Sequence, residues 1–252
     1  MLAQKRGRGS FQNPRHRPCV GNGILRRFPM PRRLRLGLQG MAFHVMNRAV
    51  RRTVLFESDR DYQAFLKVVR ESLMKYEIKI IAYEVMPNHW HFVVICDRIE
   101  EVSNWLHWVT GTHAIRWNLA RGSRGSGAVY HSRFKAVPIQ RERSLIRVCR
   151  YVERNGLRAG LVQNAELWQW GSLYAVCNNC HAIPLSKWPI LRPGNWIEIV
   201  NRPENQAELE ALRRIIRRNQ PIGDPNWQKA VAPFIGLSMR PIGRPKKDPR
   251  PL

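Results

Sequence analysis

Apolar positions along this chain recur with two periods, and the switches between them outline a folded domain. "MAFHVMNRAV", from Met41, reads as a strand. In "SDRDYQAFLKVVRESLMKY" Ser58 can cap a helix with Asp61 three residues on, and Tyr62, Phe65, Leu66, Val69 and Leu73 then recur at helical spacing. "EIKIIAYEVM" is a β-branched run, and a short "PN" break separates it from "HWHFVVICD". That last segment is apolar on both faces, Val93 and Ile95 beside the histidines and Phe92 and Val94 beside Trp90, which predicts an interior strand covered on both sides.

From Ser103 to about Leu119 the spacing predicts a helix with Trp105, Leu106, Val109, Ile115 and Trp117 buried or half-buried. "ARGSRGSGAVYHSR" reads as a flexible basic loop, "FKAVPIQ" as a short strand, and "SLIRVCRYVERN" as a helix striped by Leu145, Val148, Cys149 and Val152. Gly156 can end that helix in the left-handed conformation. The order strand, helix, strand, strand, helix, strand, helix predicts an α+β fold: a ferredoxin-like split β-α-β antiparallel sheet with helices on both faces. Three regions follow, a basic disordered arm over 1–40, the domain over 41–175, and a helical basic C-terminal extension over 176–252. In the extension, "RPENQAELEALRRIIRRNQP" has Pro203 near its start, acids early, and Arg213, Arg214, Arg217 and Arg218 late, an order that suits the helix dipole.

Charge changes the picture from fold to partner. Lys and Arg number 43 against 18 Asp and Glu, a formal net charge of +25. Such an excess is out of place in an enzyme of small neutral molecules and calls for a polyanion. The first acidic residue is Glu57, preceded by "KRGR", "RHR", "LRR", "RRLR" and "RAVRR". With no lipidation motif and no run of about 18 apolar residues, nucleic acid is favoured over a membrane surface. Five cysteines without a disulfide-like framework, and no signal-peptide core, fit a cytoplasmic protein. "CNNCH", 177–181, matches the haem-attachment pattern, but that attachment belongs with export, so no haem is expected; a zinc site lacks its second cysteine pair.

The candidate chemistry begins in "MPNHWHFVVI". Side chains at i and i+2 of a strand share a face, roughly 6 to 7 Å apart, so His89 and His91 can converge on one ion while Trp90 faces away into the core. Packing or hydrogen bonding is the plainer reading of such a pair. Tyr151 and Asn155 lie four residues apart on one face of the predicted helix. If that face meets the histidines, the Asn155 carbonyl oxygen completes a neutral His, His, Asn set that leaves an ion its full charge for phosphate oxygens, with the Tyr151 hydroxyl beside it. Otherwise Tyr151 packs at the stripe edge and Asn155 caps the helix.

"YEVMPNHWHFVV" together with "RYVERNGLRAGLV" resembles the HUH (His, hydrophobic, His) single-strand tyrosine transposases, in particular the REP-associated group of bacteria, and the resemblance runs from about "MPRRLRLGLQGMAFHVMNR" to "RPIGRPKK". It implies that His89, His91 and Asn155 bind magnesium or manganese and that Tyr151 cleaves single-stranded DNA beside palindromic hairpins through a 5′-phosphotyrosine. It also implies a monomer rather than a dimer, and a chain start near Met30 that leaves residues 1–29 as an upstream addition. Family members often have Pro where Gly156 stands. Arg147, Arg150, Arg154 and Arg158 flank Tyr151 as candidate phosphate contacts, as do Arg244, Lys246 and Lys247 in the "RPIGRPKKDP" tail, which resembles a minor-groove arm. Trp105 and Trp108 can stack on unpaired bases or pack. Two rival classes remain: a non-catalytic DNA- or RNA-binding regulator on the same fold, and a metal-dependent hydrolase using water, for which no carboxylate stands at helix or strand spacing beside the histidines.

Overall fold

The computed structural model describes residues 40–125 and 127–235, all within one compact unit. The arm expected before Gly40 and the tail bearing Arg244, Lys246 and Lys247 lie outside the described residues. The elements run β1 (Met41–Arg48), α1 (Asp59–Leu73), β2 (Lys79–Met86), β3 (His89–Cys96), α2 (Ile99–Ala120), β4 (Lys135–Ile139), α3 (Arg143–Glu153) and α4 (Asn155–Arg158). Four further helices follow: α5 (Ser172–Cys177), α6 (Trp196–Asn201), α7 (Gln206–Arg217) and α8 (Pro225–Val231).

The strands form one four-stranded antiparallel sheet in the order β2-β3-β1-β4. This is the split β-α-β arrangement: β3 lies between β1 and β2, and β4 closes the far edge of β1. Strand β3 is interior as its two apolar faces require. Phe92 and Val94 join the core that holds Phe65, Val69, Trp105 and Leu106 from α1 and α2, and Val93 and Ile95 join a second core with Leu145, Val148 and Val152 from α3. Trp196 and Val200 of α6 and Leu209, Leu212 and Ile216 of α7 belong to that second core, so the late helices complete the histidine face of the sheet.

Helix α1 starts where its sequence signal stands, with the Asp61 carboxylate accepting from the backbone N–H of Ser58 at 3.1 Å. Helix α2 begins earlier than expected, at Ile99, with Glu100 and Glu101 in its first turn facing the positive end of the dipole. Ile115 is 67% exposed rather than buried; the core-facing stripe of α2 ends on His113, half-buried Ala114 and Trp117, leaving Ile115 on the outer side. Helix α7 is capped by Asn205, whose carbonyl accepts from the N–H groups of Ala207 and Glu208, so Pro203 precedes the helix instead of opening it. Gly156 is not a left-handed stop. The chain passes from α3 into α4 with Gly156 inside the new turn, and the left-handed exit falls at Gly160, φ 69°.

Candidate active site

Register places the polar groups of the histidine face side by side. His91 lies opposite Met46 of β1 and Glu84 of β2, His44 lies opposite Val93, and Lys135 of β4 lies opposite Met46. The rings of His44 and His91 stack at 5.1 Å between centroids and 12° between planes, with His44 Nε2 2.9 Å from His91 Nδ1. His89 stands edge-on to His91 at 4.9 Å. Burial holds all three imidazoles neutral: His44 is pulled down to about 3, with the Lys135 charge adding to the effect, His89 to about 4 with help from Arg48, and His91 well below the usual value.

The hydrogen-bond network fixes which nitrogen of His89 is free. The Asn88 amide donates through Nδ2 to the Arg52 carbonyl at 3.2 Å, so its Oδ1, 2.7 Å from His89 Nδ1, can only accept there. His89 therefore carries its proton on Nδ1 and keeps a lone pair on Nε2. His91 has two options. If His44 Nε2–H donates, His91 has its proton on Nε2; if His91 Nδ1–H donates, its Nε2 is free and the proton of His44 sits on Nδ1. That buried Nδ1 has no partner among the described residues in either case. A cation bound at His91 Nε2 selects the second option, the arrangement in which a ligating histidine donates its other N–H.

Helix α3 lays Tyr151 against this pair. The phenol ring is edge-on to His91 at 5.9 Å and to His44 at 6.0 Å. Arg158 lies 4.5 Å over the same ring, donates to Asn155 Oδ1 at 2.6 Å, and donates again to the Tyr151 carbonyl at 3.1 Å. One guanidinium thus ties tyrosine and asparagine together. The Asn155 oxygen has two lone pairs, of which Arg158 uses one. The donor set His89 Nε2, His91 Nε2 and Asn155 Oδ1 fits a divalent cation in chemistry and charge, and among the described residues no group of three His, Cys, Asp or Glu side chains offers another site.

The family model described as "Transposase IS200 like" matches residues 38–155, a span that holds His44, His89, His91 and Tyr151 and ends on Asn155. Over those residues the chain is similar to the IS200-like transposases. Among solved structures, a REP-associated tyrosine transposase bound to a REP hairpin is 17% identical, with 60% of this chain and 89% of that one covered and a TM-score of 0.46. A putative transposase from Deinococcus radiodurans is 15% identical, covering 46% and 92%, with a TM-score of 0.36. No curated protein matches.

Two residues of this site are hidden from the sequence alone. His44 stands in a strand that its pattern predicts, but only the β1–β3 register carries it to His91. Glu84 supplies the carboxylate that spacing along the chain does not show. Directly across from His91, it accepts the Gly156 N–H at 2.5 Å, and burial raises its pKa well above the ordinary carboxylate value. Through that hydrogen bond Glu84 is a latch for the turn after Tyr151. A Cβ on Gly156 would stand 2.9 Å from Glu84 Oε1 and from Trp168, which makes glycine the residue that fits here.

The arginines expected to contact phosphate are divided. Arg150 donates to the carbonyls of Arg202 and Pro203, Arg154 to that of Val200, and Arg158 pairs with Glu204 at 2.8 Å, so these three fasten the end of α6 and the loop after it to the α3–α4 segment. Arg147 is exposed on α3. Trp90 and Trp105 are fully buried core residues, and half-buried Trp108 carries Lys75 over its ring at 4.6 Å. Cys177 and Cys180 are free and exposed, and no helix among the described residues is long and apolar enough to cross a membrane.

Proposed function

We infer that this is a DNA-acting protein of the transposase type, a reading supported by the match of residues 38–155 to the IS200-like transposase model. We propose that it is a metal-dependent single-strand DNA endonuclease and strand transferase that cuts beside palindromic hairpins, as in the REP-associated group whose motifs it shares. The observation that carries this reading is the placement of Tyr151 edge-on to His91 at 5.9 Å, on the face where both imidazoles of the strand pair point.

His89, His91 and Asn155 would hold magnesium or manganese, which supplies Lewis-acid polarisation of the phosphoryl oxygens when bound. The protein's own part is nucleophile and alignment. The Tyr151 hydroxyl has no hydrogen-bond partner among the described residues, and Arg158 fixes its ring. As the phenol proton leaves to solvent, Tyr151 Oη bonds to phosphorus, the bond to the 3′-oxygen breaks, and that oxygen leaves as a 3′-hydroxyl after taking up a proton. The 5′-phosphotyrosine conserves the bond energy, so the reverse attack by another 3′-hydroxyl rejoins strands without ATP. Arg158, Glu84 and Asn88 hold the tyrosine, the asparagine turn and the His89 tautomer in place.

Cleavage of a labelled single-stranded hairpin with manganese tests the reading. The wild-type chain is expected to nick it, with chelator and His89→Ala each abolishing the product. Equal nicking after chelation would replace the metal mechanism.

A further inference from the structure

Between β1 and α1 the backbone takes a course that ordinary residues avoid. Arg51 and Arg52 stand consecutively in the left-handed region, at φ 52° and 60°, which glycine or asparagine reaches with far less strain. The turn is held rigidly: Val50 N–H donates to the Val129 carbonyl at 2.9 Å, Arg52 N–H to Ala49 at 3.2 Å, and Thr53 N–H to Val50 at 3.1 Å. Strain that the surroundings enforce is a mark of ligand clamps and switch segments.

What the turn achieves is a ledge of positive charge. Arg51 and Arg52 are exposed on it, Arg48 is exposed at the last position of β1 directly opposite His89, and exposed Arg133 follows His131, whose N–H donates to the Arg48 carbonyl at 2.9 Å. None of these four guanidiniums has an ion-pair partner among the described residues, whereas Arg116, Arg121, Arg154 and Arg158 are all held by carboxylates. Unpaired guanidiniums, each a planar fork of donors, suit phosphodiester oxygens.

We infer that the Arg48–Arg51–Arg52 turn, with Arg133, is a clamp for the phosphate backbone of single-stranded DNA at the His89 edge of the site. The clamp is registered to the chemistry by one side chain: Asn88 bonds the Arg52 carbonyl with its amide nitrogen and the His89 ring with its amide oxygen. A strand gripped at the turn is thus set in position relative to His89. Placement beside a scissile phosphate rests on the function proposed above; the grip itself does not.

Anisotropy titration of a labelled single-stranded hairpin against the full chain, with chelator present and salt varied, isolates the grip from catalysis. Each phosphate that is no longer neutralised lowers the salt slope by about 0.7. Arg51→Gly with Arg52→Gly, which suits the backbone, is expected to lower the slope by about 1.4 for two such phosphates and to weaken binding at least tenfold. Arg133→Ala, outside the strained turn, is expected to lower it by about 0.7, and Arg70→Ala on α1 serves as control. Slopes and affinities of both test variants equal to that of the control overturn the clamp. A wild-type chain that binds with clamp-dependent slope yet cuts no hairpin would refute the proposed function and leave the clamp standing.

Discussion

His44 Nε2 lies 2.9 Å from His91 Nδ1, inside a core from which water is excluded. The protonation pattern of a histidine from the first strand is therefore coupled to that of one from the third. Without an acceptor at position 44, the arrangement in which His91 carries its proton on Nδ1 and leaves Nε2 free for a cation loses its partner.

Removing that acceptor is expected to weaken manganese binding by about 10- to 100-fold, the usual cost of an outer-shell partner. His44→Leu should show the loss by calorimetry, and His44→Gln, which restores an acceptor, should recover part of it. In metal-free protein, ¹⁵N imidazole spectra should show more Nε2–H form at His91 in the Leu variant. Equal affinity in Leu and Gln variants would reduce His44 to a packing residue.

Glu84 and Gly156 form a matched pair, since proline at 156 would remove the N–H that the buried carboxyl accepts. Gly156→Pro alone is expected to cost about 1–3 kcal/mol from the unpaired acceptor, with the close approach to Glu84 and Trp168 adding to it. Glu84→Val in the same chain should return part of that loss. Urea titration of the two single variants and the double variant measures the coupling, and simple additivity would contradict the pairing.

Acid should unfold the protein earlier than its carboxylates alone require. His113, bonded to the Tyr130 hydroxyl at 2.7 Å, is held near 3 by burial, as is His44, and His89 is held near 4. Their folded values lie below the unfolded 6.5, so the unfolded chain binds more protons below that pH. Stability is expected to be constant from pH 8 to 7, then to fall by up to about 1.4 kcal/mol per pH unit for each histidine as pH drops from 6.5 towards 4. Denaturant titration of metal-free protein across this range reads it directly, and a flat profile between pH 7 and 5 would contradict buried neutral imidazoles.

The elements are legible where the pattern is local. Two apolar faces on "HWHFVV" require an interior strand, whereas Tyr151 and Asn155, read as one helix face, fall on α3 and on the first turn of α4, where Arg158 ties them together. Residues that meet only through the sheet are not legible: His44 and Glu84 reach His91 by cross-strand register, which no spacing along the chain records. The arginines show the same limit. Composition announces a polyanion, yet Arg150, Arg154 and Arg158 serve largely to bind the chain to itself because the end of α6 and the loop after it bring carbonyls and Glu204 to them.

Tyr151 is the proposed nucleophile toward DNA. Incubation of the full chain with manganese and a labelled single-stranded hairpin, followed by denaturing gel and peptide mass spectrometry, tests it most directly. A slow, protease-sensitive band whose DNA maps to Tyr151 through a 5′-phosphate, absent from Tyr151→Phe while hairpin binding persists, is the predicted result. Adduct formation by the Phe variant, or cleavage that leaves a free 5′-phosphate and no adduct, would contradict it.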